Sequence, residues 1–254
     1  MSSWPEHRFP VTNPSISIII PTLQEEKKLE RTLGQFTPSL RELFRLEIII
    51  SDGGSSDRTL AIAAVNADVV VEHAEGEREN ISRGRNRGAA VARGDCLVFL
   101  NADVMIEEPE KFFSTMLRVI GDGRVAAATC NVNIYPEEEQ FSDWLFHNFF
   151  NGYFWLLNLF GMGMGRGECH VVRKNAFDEL GGYNEKTAAG EDFELFLRLQ
   201  KRGKIIFVRT LTVFESPRRF RKYGYFLTTL LWFLNGIGVL FFHRSVVDHW
   251  KPVR

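Results

Sequence analysis

Cysteine is scarce in this chain of 254 residues: Cys96, Cys130 and Cys169 lie far apart and form no CxxC pair. That excludes a disulfide scaffold and a cysteine-rich zinc site, and it fits a reducing compartment. The six histidines, at positions 7, 73, 147, 170, 243 and 249, show no HxxxH or HxxE spacing, so a histidine zinc site is not expected either. No P-loop and no G-x-S-x-G elbow is present. Charge of one sign is also missing. With 31 Lys+Arg against 32 Asp+Glu the net charge is −1, which gives no general reason to bind nucleic acid, and no nucleic-acid partner is expected. A charged share of 25% argues against wholesale disorder and against a polytopic membrane protein. Residues 1–13 lack an apolar run, so no secretory leader is expected and the bulk of the chain is expected in the cytosol.

Phenylalanine, by contrast, is abundant: 22 residues beside 5 Tyr and 5 Trp, with 13 of them in the windows 141–160 and 207–242. An even surplus would mean only a large core, whereas a clustered one asks for a local cause. The length suits one large α/β domain, alone or with an appendage.

From residue 15 the pattern is that of a nucleotide-binding α/β half. Apolar runs at 16–20, 46–50, 68–72 and 96–100 read as strands. Between them, helices are predicted over 25–36, after Ser56 or Asp57, and over 82–93. Such alternation means a mostly parallel sheet with right-handed crossovers, and ligands bind outside the carboxyl ends of its strands. Three polar clusters fall there: Pro21 to Glu25, Ser51 to Gly54, and Asn101 to Asp103. Further on, 124–133 and 204–214 read as strands, 141–160 and 191–201 as helices.

Each cluster has a chemical reading and a plain one. Asp103 at a strand end can hold a divalent cation bridging a diphosphate, or simply terminate a strand. Asp52 before Gly53 and Gly54 can accept from a base or ribose, or make a glycine turn. Arg83, Arg85, Asn86 and Arg87 crowd a helix start suited to phosphate; Arg83 and Asn86 share a face and are the ligand candidates, while pairing with Glu75, Glu77 and Glu79 accounts for some of the arginines. Glu191-Asp192 after Gly190 can cap a helix or supply a general base. Ser216-Pro217-Arg218-Arg219 can clamp a pyrophosphate, meet anionic lipid or form a solvated turn. The glycines at 161, 163, 165 and 167 fail the dinucleotide spacing, since Arg166 and Glu168 stand where glycine is needed, and they follow a helix.

Taken in order, the first strand with Pro21-Thr22-Leu23-Gln24-Glu25, then Asp52-Gly53-Gly54-Ser55-Ser56-Asp57, Arg83-x-x-Asn86-x-Gly88, Gly94-Asp95, Asn101-Ala102-Asp103 and Gly190-Glu191-Asp192 resemble the inverting family 2 glycosyltransferases of GT-A fold. The resemblance covers most of 15–214. It implies an α/β GT-A domain over 1–214, with a nucleotide-binding half at about 15–103 and an acceptor half at about 104–214. A basic turn and an apolar helical tail would follow over 215–254. By the same resemblance Asp52 contacts the base, and Pro21, Thr22 and Glu25 line the nucleoside pocket with Gly53. Arg83, Asn86, Asn101, Ala102, Arg218 and Arg219 stand on the donor side, Asp103 holds Mg2+ or Mn2+, and Asp192 with Glu191 deprotonates the acceptor. Gly165, Arg166, Gly167 and Glu168 are assigned to the acceptor side. Asn101 and Ser51 stand where family members often carry Asp or another acidic residue.

The implied reaction moves a sugar from a nucleotide-diphosphate sugar to an acceptor hydroxyl or lipid phosphate, the acceptor being a glycan or lipid-linked. A non-catalytic scaffold of the same fold is the alternative. Nucleotidyltransfer wants a Gly- and Arg-rich loop after the first strand, which is missing here. Residues 223–242 are uncharged and preceded by Arg218, Arg219, Arg221 and Lys222. They can lie in a membrane interface, be buried or span, and the reading favours a membrane-surface partner at the cytoplasmic face.

Overall fold

The computed structural model describes residues 15–73, 79–187 and 189–242. The leader reading over 1–13 and the partners Glu75 and Glu77 lie outside the described residues, as does the end of the tail beyond 242.

The first half alternates as its pattern predicts. Strand β1 (Ile16–Thr22) leads to helices α1 (Leu29–Gly34) and α2 (Pro38–Phe44), then β2 (Leu46–Asp52), α3 (Thr59–Asn66), β3 (Val69–Glu72), α4 (Ile81–Val91) and β4 (Cys96–Leu100). Thr37-Pro38 does more than stop a helix. Thr37 is the N-cap of α2 and accepts from the Leu40 amide at 3.3 Å, with Pro38 in the first turn where its missing N–H is harmless. The expected 25–36 helix is the shorter α1, which stops before Thr37-Pro38, and α2 is a further helix that the sequence pattern does not predict. The second half supplies β5 (Met105–Ile106), α5 (Pro109–Gly121), β6 (Val125–Ile134), α6 (Phe141–Leu159), β7 (Cys169–Arg173), α7 (Lys174–Glu179), α8 (Glu191–Leu199), β8 (Lys204–Glu215) and α9 (Arg218–Phe242).

All eight strands join one sheet in the order β3-β2-β1-β4-β7-β6-β8-β5. It is a mixed sheet rather than a mostly parallel one. β1, β2, β3 and β4 run parallel, β7 is antiparallel to both β4 and β6, and β5 is antiparallel to β8. The reversal at β7 has a functional consequence. It brings the amino end of β7 to the rim where β1, β2 and β4 end, and Leu100 pairs with Cys169 across it. Because β6 and β8 are parallel to each other, β8 also ends at that rim, at Glu215.

The sheet is covered on both faces, so its strands are apolar almost throughout. Along β1 the period of two sends Ile16, Ile18 and Ile20 into one cluster with Leu29, Leu33, Phe112 and Phe113. Ile19 faces the other, with Leu97, Phe99, Phe177 and Phe196.

The C-terminal segment is not an appendage standing off this core. α9 is kinked at Gly224 (φ 74°), and Phe220, Tyr225 and Trp232 pack on Phe146 with ring centroids 5.3, 4.5 and 6.0 Å away. Among the described residues no helix is long and apolar enough to cross a membrane, which removes the spanning alternative for the described part of 223–242.

Gly94, between α4 and β4, shows how tightly the layers meet. A Cβ there would lie 2.7 Å from the Ser17 amide nitrogen and 2.8 Å from the Ile16 carbonyl carbon, both backbone atoms that have no room to give. Gly94→Ala is expected to destabilise the fold by roughly 1–3 kcal/mol through overpacking, which calorimetry would register as a Tm several degrees lower. An unchanged Tm would contradict this packing.

Candidate active site at the carboxyl rim of the sheet

A cleft of about 1410 Å³ opens along the rim. Its polar floor is made by strand ends and helix starts, the places where backbone and side-chain polarity converge. Two loops build the nucleoside end. Gln24 adopts a left-handed backbone (φ 57°), uncommon for a side-chain-bearing residue. It is held there because its amide donates to Ser55 Oγ at 2.8 Å and its side-chain oxygen accepts from the Asp57 amide at 3.2 Å. This stitches the loop after β1 to the loop after β2.

Asp52 sits beneath that seam and is fully buried. Its carboxylate accepts from Thr22 Oγ1 at 2.8 Å, from the amides of Gly54 and Ser55 at 2.9 and 2.7 Å, and from Ser55 Oγ at 2.6 Å. Pro21, Thr22 and Gly53 line the cleft, whereas Asp52 lies behind them. With its acceptor positions filled from within the protein, Asp52 shapes this wall, and contact with a base would require it to release one of these bonds.

The centre of the site is an arginine that sequence reasoning passed over. Arg85 is completely buried. It donates to Glu191 Oε1 at 3.0 Å, to Asn101 Oδ1 at 3.1 Å and to the Gly167 carbonyl at 2.5 Å, and lies over the Tyr183 ring at 5.2 Å. One guanidinium thus ties α4 to the end of β4, the loop before β7 and the start of α8. Arg83 and Arg85, two apart on α4, point to nearly opposite sides of the helix, and which side is turned inward is set by what α4 packs against.

Arg83 lines the cleft, half-exposed, with Nε 3.4 Å from Glu185. Asn86 does not line it. Its side chain exchanges hydrogen bonds with the backbone of Tyr183 at 2.8 and 2.9 Å and fastens the 183–185 loop. The pairing chosen from a shared helix face is thus divided between cleft and scaffold.

Glu191 and Asp192 begin α8 after Gly190, whose left-handed φ of 77° makes the turn into the helix. Arg85 holds Glu191 from one side. Asp192 faces the cleft and accepts from the Phe193 amide at 2.8 Å. Burial and then the neighbouring Glu191 charge push its carboxyl up to about 7. A Cβ at Gly167 would make only ordinary contacts, 3.4 Å from Asp192 Oδ2 and 3.7 Å from Arg85 Nη2. Gly165 and Gly163 have no such room, because a Cβ would meet the Phe196 ring at 2.5 Å or its carbonyl oxygen at 2.6 Å. The glycine cluster lets the 163–167 loop lie flat on α8.

Opposite them, Arg218 at the start of α9 makes a bidentate pair with Glu25, at 3.0 and 3.1 Å, and lies 3.1 Å from Asp103 Oδ2. Burial raises the Asp103 pKa, and Arg218 opposes that rise. Asn101 and Ala102 line the floor beside it. Arg166 is turned away from solvent: it donates to Glu215 Oε1 at 2.9 Å and to the Val132 carbonyl at 3.2 Å, beside His147. Burial and then Arg166 lower His147 to about 3, so the imidazole is neutral. Glu168 lies 3.4 Å from Arg166 Nε, and Arg219, whose pKa is lowered by burial, shares the cleft with Glu168 and Glu215.

Among the described residues no group of three or more His, Cys, Asp or Glu side chains is arranged to hold a metal by itself. The donor set suits a different arrangement. Asp103 offers one carboxylate and Glu25 a second, joined through the same guanidinium. Hard cations such as Mg2+ are commonly held by one or two carboxylates, with substrate phosphates and water completing the shell.

A mixed α/β sheet with these clusters at its rim is the GT-A fold. The chain superposes with TM-score 0.65, at 19% identity, on the mannosyltransferase PcManGT of Pyrobaculum calidifontis in complex with GDP-Man and Mn2+, covering 81% of this chain and 57% of that one. It matches glucosyl-3-phosphoglycerate synthase of Mycobacterium tuberculosis, in complex with Mn2+, UDP and phosphoglyceric acid, with TM-score 0.60 at 17% identity, over 89% and 77% of the two chains. The pattern of glycosyl transferase family 2 matches residues 17–181, and the chain belongs to that family. It is 25% identical over 234 residues to the probable glycosyltransferase YdaM of Bacillus subtilis, covering 82% of this chain and 52% of that protein. It is 28% identical over 236 residues to the succinoglycan biosynthesis protein ExoA of Rhizobium meliloti, covering 90% and 69%. The chain thus spans only about half the length of the Bacillus relative.

Removing one partner from a buried ion pair strands the other charge. Arg85→Met is expected to lower stability by about 3–5 kcal/mol, whereas Arg83→Met at its half-exposed pair is expected to cost at most about 1 kcal/mol. Urea unfolding of the two variants tests this, and equal midpoints would contradict the central position of Arg85.

Proposed function

We propose that this domain transfers a sugar from a nucleoside-diphosphate sugar to an acceptor hydroxyl or lipid phosphate, with inversion at the anomeric carbon. The observation that carries the reading is the convergence of Asp192 and Asp103 on one cleft, with Glu191 held back by Arg85. In this reading the nucleoside lies against Pro21, Thr22 and Gly53, and Asp52 maintains their shape. Arg83 and Arg218 face the diphosphate. Asp103, supported by Glu25, holds Mg2+ or Mn2+, which when bound supplies positive charge to the departing diphosphate. Arg218 occupies both carboxylates and releases them as phosphate approaches.

Asp192 takes the acceptor proton. Its burial and the Glu191 charge raise its basicity to a value near neutrality, where a general base works best. Glu168 and Arg166 stand on the acceptor side, Arg166 supporting the wall through Glu215 and not by direct contact, and Arg219 stays with Arg218 on the donor side. A scaffold that only bound ligands would have no use for a carboxyl raised towards neutrality beside a like charge in the cleft wall, so the catalytic reading is preferred.

We place the protein at the cytoplasmic face of a membrane, docked through the outer faces of α6 and α9, where Phe149, Phe160 and Phe226 are exposed beside Lys222. Co-sedimentation with anionic lipid vesicles tests this, and a chain that stays in the supernatant at low salt rules it out.

Asp192→Asn is expected to bind donor within about two-fold of wild type and to lose about 10²–10⁴-fold in transfer. Because the deprotonated form is the active one, kcat should rise with pH up to about 7 and then level. Donor turnover with UDP- and GDP-sugars plus Mn2+, followed from pH 5 to 9, checks both. Near wild-type turnover of the Asn variant, or a flat profile, would reject Asp192 as the base.

A further inference from the structure

The cleft does not end at the catalytic pair. It continues from Asp192, past Gly165 and Phe193, into an arm between α6, α8 and α9 lined by Phe150, Tyr153, Phe154, Met162, Trp232 and Phe233. This is one continuous space, and its character changes from carboxylates and guanidinium groups to hydrocarbon over the width of a helix.

From this continuity we propose that the arm is the binding site for the hydrocarbon chain of an amphiphilic acceptor. The acceptor's polar head would reach Asp192 while its chain runs between α6 and α9. The inference rests on the transferase reading and narrows its acceptor from glycan or lipid to lipid.

Two observations select hydrocarbon over sugar. A glycan subsite needs polar atoms to receive hydroxyl groups, with aromatic faces as platforms. Here the two side-chain amides along the arm are engaged by the protein: Gln200 Oε1 accepts from the Gly163 amide at 2.6 Å, and the Asn235 side-chain amide donates to the Leu231 carbonyl at 2.8 Å. Asn158, behind Met164, likewise exchanges bonds with the Met164 backbone at 2.8 and 2.9 Å. The second observation is exposure. Phe233 and Met162 remain 65% and 47% exposed although α6 and α9 pack closely at Phe146 and Trp232. Rings held open beside a packed contact leave apolar area uncovered that a chain would remove from water. The packed rings on the inner side of α9 hold the arm's wall in place, and Arg218 at the same helix start touches Glu25 and Asp103. The segment 218–242, two helical stretches joined at the Gly224 kink, therefore contributes to both ends of the cleft, Arg218 before the kink and Trp232 and Phe233 after it.

Butyl, octyl and dodecyl phosphate, each below its micelle concentration, serve as probes in titration calorimetry with the full chain. Full burial of a methylene is worth roughly a four-fold gain in affinity. Binding that tightens by about 100-fold or more from four to twelve carbons is the expected result, since the arm is partly open. Phe233→Asp and Met162→Asp change exposed positions and should fold, and each should flatten the chain-length dependence while leaving binding of UDP or GDP with Mn2+ unchanged. Equal binding of the butyl and dodecyl compounds overturns the proposal, as does a chain-length effect that survives both variants; the arm would then belong to a glycan or to another segment of this chain. Failure of both nucleotides to bind would instead count against the transferase reading, so the two failures are distinguishable.

Discussion

The site depends on the buried guanidinium of Arg85. Three elements distant in sequence meet at it: the end of β4 through Asn101, the loop before β7 through the Gly167 carbonyl, and the start of α8 through Glu191. Burying a cation this deeply costs several kcal/mol unless acceptors offset it, and these three meet its terminal nitrogens while Nε has no hydrogen-bond partner among the described residues. The same contacts explain why Glu191 and Asp192, adjacent in sequence, have different environments. Glu191 is spent on Arg85. Asp192 is left beside that charge, partly buried in the cleft wall, and burial and then Glu191 push its carboxyl up to about 7. Environments that drive two carboxylates apart in this way set their protonation apart as well.

Around this centre the cleft is a problem of too many carboxylates. Glu25, Asp103, Glu168, Glu191, Asp192 and Glu215 all line it. Arginines divide them into separate pairs: Arg218 with Glu25 and Asp103, Arg166 with Glu215 and Glu168, Arg85 with Glu191. Planar guanidinium groups suit this work because each can serve two acceptors at fixed angles. Among the described residues no arginine forms an ion pair with Asp192. The residual negative charge also makes the rim receptive to a divalent cation arriving with a diphosphate, without a preformed three-ligand cage.

The strands of the nucleotide-binding half were legible because they are fully buried, and buried parallel strands write themselves as unbroken apolar runs. The rim clusters at Pro21, Asp52 and Asp103 were legible for a related reason: polar residues directly after such runs have few places to go but the carboxyl edge. What could not be read is whatever depends on pairing partners. β7, Cys169–Arg173, is five residues between a glycine loop and a short helix, and nothing in Cys-His-Val-Val-Arg says that it enters mid-sheet in reverse. The reversal is what carries Arg166 and Glu168 to the rim. Arg85 was lost among three arginines of one helix, since the choice among them is made by what lies across the layer from α4. Asp52 was found, but its saturation by Thr22 and Ser55 depends on a loop geometry that the sequence leaves open.

The phenylalanine clusters acquire a structural meaning from the same logic. In the first half, aromatic residues such as Phe99, Phe112 and Phe113 disappear into the two faces of the sheet. In α6 and α9 they divide. Phe146, Phe220 and Trp232 join the helices, and Phe149, Phe226 and Phe233 face outward. A helix that needed only to cap the domain would have no reason for the second set, because burial of one face suffices to dock it. Nor does tail anchoring require Arg218, at the first turn of α9, to reach Asp103. Both features belong to the segment 218–242, on either side of its Gly224 kink, and the proposed amphiphilic acceptor accounts for the two together, its polar head at the rim and its chain along the apolar face.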